Sequence, residues 1–235
     1  MRYILDDPNY TYADDCKLVP ALRVVLTRFS MFLPGFREAG GLHDDASFGE
    51  YLSSRIPHFR SICLPSLCSQ TRRPDAWLIG FDETHKSHVG EILGLVERRG
   101  PWILPVWQRR IDGDYEPARM TFVREVQKLL RPEHEWVITT RVDNDDALAR
   151  GYCEAVHQYA SSVILRYPSQ DDFWISFPFG VQFNGAFLRA FMQTNNAFLT
   201  RCERADRFRS KSGGTVLQGN HSHVLKKPYV YLPSS

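Results

Sequence analysis

Short β-branched and aromatic runs alternate with helical stretches along the first part of this chain, and that alternation restricts its fold more than any other feature. Leu22–Thr27 is a first strand, rich in Val and Leu. Ala76–Phe81 is a second, ending at Asp82, and Trp136–Thr140 is another. Trp102–Val106 is a further apolar run, weakened as a strand by Pro105. Between them lie helical patterns: Tyr51–Gln70, interrupted at Pro57 and Pro65; Val89–Arg98; and Ala118–Leu130, with Phe122, Val123, Val126, Leu129 and Leu130 on one side. A further helix follows from Leu148 through Tyr159. Strand–helix alternation of this kind predicts an α/β domain, a mostly parallel central sheet flanked by helices.

The 235 residues suit a single domain. Residues of about 20–160 form a Rossmann-like half, and residues of about 161–235 a less regular one. The latter holds the run Trp174–Phe179, a turn at Asn184-Gly185 and a helix near Phe187–Gln193. With 29 basic and 27 acidic residues the net charge is +2, which argues against nucleic acid as a partner. The five cysteines fit no zinc spacing and read as free thiols of a reducing compartment. No secretory signal and no membrane-spanning run is visible, so the expected location is cytoplasmic, with peripheral contact at the inner face of the membrane if an acceptor is lipid-linked.

Ligands of open parallel sheets sit beyond the carboxyl ends of the strands. That rule puts Thr27, Arg28, Asp82 and the string Asp143-Asn144-Asp145-Asp146 on one rim. Three carboxylates within four residues repel one another directly after an apolar strand. A hard divalent cation relieves that repulsion through carboxylate oxygen. The competing role is an acidic cap on the following helix.

The stretch Thr139-Thr140-Arg141-Val142-Asp143-Asn144-Asp145-Asp146-Ala147-Leu148 resembles the signature of a rhamnosyltransferase family and, more broadly, the D-x-D strand end of glycosyltransferases of the A-type fold. Val25–Ser30, Pro65–Leu67, Gln70, Trp77–Asp82, Asn196–Glu203 and Asn220-His221 resemble other blocks of that family, so the likeness runs from about residue 22 to 225. It implies a nucleotide-diphospho-sugar donor, with dTDP-rhamnose suggested, and a glycan or lipid-linked hydroxyl acceptor. Asp145 would be the principal ligand of Mn²⁺ or Mg²⁺. Asp143 would hold ribose and share the metal, with Asn144 beside it. Asp82 would face the base or serve as a turn residue before Thr84. Arg119 would approach the nucleotide or remain solvated. Arg141 would face phosphate or pair with Asp143. His221, or His223 two residues on, would meet the metal.

The expected mechanism is metal-dependent inverting transfer, which needs a carboxylate to take the acceptor's proton. Glu203 matches that place in the resemblance, with Asp206 as its competitor and a salt bridge as its structural alternative. Trp174 and Phe177 fit core packing better than sugar stacking. Two other functions compete: a nucleotidyltransferase, disfavoured by the lack of a Gly-rich phosphate loop, and a non-catalytic carbohydrate-binding protein, disfavoured by the intact carboxylates.

Overall fold

The computed structural model describes residues 17–32, 45–183, 186–192, 198–210 and 229–231. The turn expected at Asn184-Gly185, the histidines His221 and His223, and Cys16 lie outside these residues.

Strand β1 (Ala21–Arg28) leads to a long helical segment. This segment runs as α1 (Asp45–His58), a widened π turn (Phe59–Cys63) and α2 (Leu64–Cys68). The two prolines that interrupt the sequence pattern are absorbed here. Pro57 sits in the last turn of α1, and Pro65 lies in the first turn of α2, directly after the π turn. Next come β2 (Ala76–Asp82), a 3₁₀ turn (Glu83–His85), α3 (Gly90–Glu97), β3 (Ile103–Gln108), a small ribbon of β4 (Arg110–Ile111) with β5 (Asp114–Tyr115), and α4 (Ala118–Leu129). Strand β6 (Trp136–Arg141) is followed by α5 (Tyr152–Arg166), β7 (Asp172–Ser176), β8 (Phe179–Phe183), β9 (Leu188–Met192), β10 (Thr200–Arg204), α6 (Ala205–Ser210) and β11 (Tyr229–Tyr231).

Seven strands form the main sheet in the order β11-β7-β10-β6-β1-β2-β3. All neighbours are parallel except β10, which runs antiparallel to both β6 and β7. Pro105 is tolerated because β3 is an edge strand. The sheet draws strands from both sides of residue 160.

Alternation along each strand sorts the core into two layers. Val25, Phe29, Trp77, Ile79 and Phe81 pack on one face against Leu52, Phe59, Leu64 and Leu67 of the α1–α2 segment and Ile92 and Val96 of α3. On that same face α5 covers Trp136, Ile138 and Phe173 through Val156, Ala160 and Val163. On the opposite face Val24, Leu26 and Leu78 meet Phe122, Val123 and Val126 of α4 and Phe208 of α6. Phe122 and Val126 are fully buried, each contributing about 1.5–3 kcal/mol by removal from water.

Two sequence expectations change. The helix expected from Leu148 begins only at Tyr152, with Gly151 as its cap residue. The helix expected near Phe187–Gln193 is instead strand β9, paired with β8 from Phe179↔Met192 to Phe183↔Leu188. Five residues are too few to sustain an isolated helix, whereas a hairpin partner supplies their backbone hydrogen bonds at once.

Candidate functional site

The parallel strands β1, β2, β3 and β6 all end on one rim, and antiparallel β10 begins there, with Thr200 opposite Thr140. β6 lies inside the sheet between β1 and β10, so the residues after Arg141 emerge at its centre. The β1–β6 pairing continues one residue further, Val142 N–H donating to the Leu26 carbonyl at 3.0 Å. The chain then turns, Asp146 N–H donating to the Asp143 carbonyl at 3.2 Å.

Because α5 starts at Tyr152, the acidic string does not cap it. That removes the helix-cap explanation of these carboxylates.

Arginines surround the string. Arg141 Nη2 donates to Asp143 Oδ2 at 3.2 Å, and Arg28 Nη2 lies 3.7 Å from Asp143 Oδ1. The Nε of both Arg28 and Arg141 is buried without a hydrogen-bond partner. Burial, and then the neighbouring charge of Arg141, lowers the pKa of Arg28 against the opposing pull of Asp143. Arg55, reaching over from α1, forms an ion pair with Asp145. Burial foremost, then the charges of Asp145 and Asp143, pushes the Asp146 carboxyl up to about 6. Burial is the main cause of this shift, and the neighbouring carboxylates add to it.

The string is also tied to the fold beneath it. Asn144 is buried, its amide nitrogen donating to Tyr51 Oη at 3.0 Å and to the Phe29 carbonyl at 3.4 Å. Tyr51 Oη donates to the same Phe29 carbonyl at 2.6 Å. Cys63 Sγ donates to the Asp143 carbonyl at 3.6 Å, and burial raises its thiol pKa.

The structure therefore brings Arg28, Arg141, Asp143, Asn144 and Asp145 together. Other expected site residues are placed differently. Thr27 is fully buried, its Oγ1 accepting from Trp77 Nε1 at 2.9 Å, so it secures the core under the rim rather than facing a ligand. Asp82 is at the rim but buried, and its side chain accepts from Thr84 N–H at 2.9 Å, capping the 3₁₀ turn. Arg119 is exposed on the first turn of α4, beside the end of β3, where Gln108 Nε2 donates to the Glu116 carbonyl at 2.7 Å.

Glu203 is not at the rim. In antiparallel β10 it pairs with Val137, four residues below Arg141, so at about 3.3 Å per residue roughly 13 Å of sheet separates it from the rim. It is 1% exposed, with Oε1 3.2 Å from Arg201 Nη2. Arg201 also binds Asp172 through Nε at 2.9 Å and Nη2 at 2.5 Å. Here Glu203 is part of a buried ion network with Arg201 and Asp172. Asp206 sits further from the rim, in the first turn of α6. Trp174 lies under the Arg201 guanidinium at 5.2 Å, and Phe177 packs on Tyr152 and Tyr159, so both serve the core.

Sequence reasoning missed Tyr51 and Arg55. Their spacing of four on one helix put them on a common face, but nothing local says that this face covers the acidic string. Among the described residues no group of three or more His, Cys, Asp or Glu side chains converges as a ready-made metal site.

Residues 23–226 match the family described as "Putative rhamnosyl transferase". The chain belongs to this family. A rhamnosyl transferase family member is a glycosyltransferase. No curated protein matches the sequence. Among solved structures, a putative nucleotide-diphospho-sugar transferase from Desulfovibrio desulfuricans G20 is similar at 14% identity and TM-score 0.41, over 92% of this chain and 80% of that one. A 4-diphosphocytidyl-2C-methyl-D-erythritol synthase from Anaerococcus prevotii DSM 20548 is similar at 10% identity and TM-score 0.42, over 91% and 87%. Likenesses of this size carry no argument about activity. No helix among the described residues is long and apolar enough to cross a membrane.

Proposed function

We propose that this rhamnosyl transferase family member moves a sugar, rhamnose from dTDP-rhamnose in the first instance, from a nucleotide-diphospho donor to a hydroxyl of a glycan or lipid-linked acceptor at the β6 rim. The observation that carries the reading is the pair Arg28 and Arg141. Each buries an Nε–H that has no acceptor, next to Asp143 and at the end of the central strands. A buried donor left unsatisfied costs about 1–3 kcal/mol, and diphosphate oxygens would supply the missing acceptors.

The carboxylates suit a divalent cation in kind. Asp143 and Asp145 offer hard oxygen donors at a strand end, 32% and 38% exposed. Asp145 and Asp143 would hold Mn²⁺ or Mg²⁺, with His221 a further candidate from outside the described residues. Such an ion, when bound, would offset the charge that develops on the leaving diphosphate. Arg28 and Arg141 orient that diphosphate by hydrogen bonding, and exposed Arg119 can meet the nucleotide from α4. Asp82 retains a place near the base only through the oxygen not engaged by Thr84. Glu203 is sunk in the sheet, so the proposal assigns no proton acceptor and covers transfer without its stereochemistry.

Calorimetry tests the reading. Among dTDP, UDP, GDP and CMP, at least one should bind at least tenfold more tightly with Mn²⁺ than with EDTA. Equal affinities in the two buffers would remove the metal. No binding by any nucleotide would remove the donor site and leave a carbohydrate-binding protein as the better reading.

A further inference from the structure

Helix α1 contacts two successive members of the acidic string. Tyr51 Oη receives the Asn144 amide, and one helical turn later Arg55 pairs with Asp145. The two α1 side chains also support each other, the Arg55 guanidinium lying 5.6 Å from the centre of the Tyr51 ring. Tyr51 is itself fixed by its bond to the Phe29 carbonyl at the end of β1. Arg55 therefore rests on an anchored platform, while its charged end is only loosely committed.

The commitment is loose because both partners are open to water. The Arg55 side chain is 35% exposed and that of Asp145 38%. Ion pairs this exposed contribute little and are easily exchanged. The carboxylate that Arg55 occupies is also the one that the proposed function gives to the divalent cation. An arginine and a divalent cation cannot both take the charge of one carboxylate at full strength.

We infer that Arg55 is the resident counter-ion of Asp145, that an arriving divalent cation displaces it, and that the released guanidinium then binds the donor's diphosphate. This inference rests on the metal-and-diphosphate reading of the site. Before exchange, Arg28, Arg141 and Arg55 offset Asp143, Asp145 and Asp146. After exchange the loop carries the surplus positive charge that a diphosphate requires. The planar fork of Arg55 suits phosphate oxygens, and its Tyr51 platform limits how far it moves. Cation and donor thereby become linked, each favouring the form that admits the other.

The test uses the full-length, metal-stripped protein. Mn²⁺ affinity without nucleotide is measured by electron paramagnetic resonance. Affinity for the tightest-binding of dTDP, UDP and GDP is then measured at saturating Mn²⁺. Arg55→Gln should tighten Mn²⁺ by about threefold to fivefold, the scale of a lost surface ion pair, and weaken the nucleoside diphosphate by at least about tenfold. Arg55→Lys, which keeps the charge and loses the fork, should leave Mn²⁺ affinity near that of the wild type and still weaken the diphosphate. Unchanged or weaker Mn²⁺ binding by Arg55→Gln would overturn the exchange, and so would an unchanged diphosphate affinity. Asp145→Asn separates the two levels: if it abolishes Mn²⁺ binding while Arg55→Gln does nothing, only the exchange fails. If the wild type binds no Mn²⁺ with or without nucleotide, the metal reading fails first and the exchange with it.

Discussion

Glu203 and Arg141 illustrate how position along a strand decides what a charged residue does. Arg141 ends β6 and reaches Asp143 at the rim, whereas Glu203 lies near the opposite end of neighbouring β10 and closes an ion network with Arg201. Buried charges of this kind are costly to orphan, because the remaining partner keeps its desolvation penalty. Glu203→Gln should therefore lower unfolding free energy by about 1–3 kcal/mol in urea denaturation. Activity per folded molecule should stay within about threefold of the wild type, since no rim group is touched. A hundredfold loss of transfer in a fully folded Glu203→Gln protein would return this residue to the role of acceptor base.

Elements hold the rim in place through close packing, and Gly80 in β2 is the most tightly enclosed of the described glycines. A Cβ at Gly80 would fall 2.2 Å from Met31 Sδ and 2.8 Å from Phe122 Cζ. Glycine thus lets the segment after β1 cross over β2 beneath α4. The same backbone anchors that segment, since Phe29 and Ser30 N–H both donate to the Gly80 carbonyl at 2.8 and 3.2 Å. Phe29 is the residue whose carbonyl receives Tyr51 and Asn144, so packing at Gly80 and geometry at the acidic string are connected. Gly80→Ala should cost about 1–3 kcal/mol by overpacking. Adding Met31→Ala should recover part of that loss, because the nearest clash is with a flexible thioether. Thermal melts of the two single variants and the double variant check this, and strict additivity would show that Met31 is not the limiting contact.

At the scale of the whole molecule, α5 clips the start of the sheet. Ser161 Oγ accepts from Val19 N–H at 3.1 Å, and His157 Nε2 donates to the Val19 carbonyl at 3.0 Å. The donating nitrogen must be Nε2, so in the neutral ring Nδ1 is the unprotonated one, and it is buried with no partner. Burial, the largest effect, lowers the pKa of His157. Its bond to Val19 opposes the shift, as does the charge of Asp75, while Arg23 and Arg72 reinforce it. The folded pKa therefore lies below the unfolded value of about 6.5, and the unfolded chain takes up the proton first. This stability is fully present above about pH 6.5 and is lost as pH falls toward the folded pKa. His157→Gln keeps a donor and cannot titrate. Its Tm should be lower than that of the wild type at pH 7.5, and the gap should narrow steadily as pH falls toward 5. A constant gap across that range would mean that His157 does not carry the acid sensitivity.

The sequence by itself determined the alternation of strands and helices, and with it the mostly parallel sheet and the rim that bears Arg28, Arg141 and Asp143–Asp146. These follow from local rules, because side-chain period and strand direction are written in consecutive residues. It also carried the family likeness in the run from Thr139 to Leu148. The partners of that run were decided only in three dimensions. Arg55 meets Asp145 across 90 residues of sequence, and Asn144 meets Tyr51 across 93. Glu203, matched by the resemblance to an acceptor base, is put near the end of its strand away from the rim by antiparallel pairing with β6. Direction and register of a strand within a sheet are long-range choices, set by the best joint burial of several elements, and no short stretch of sequence contains them.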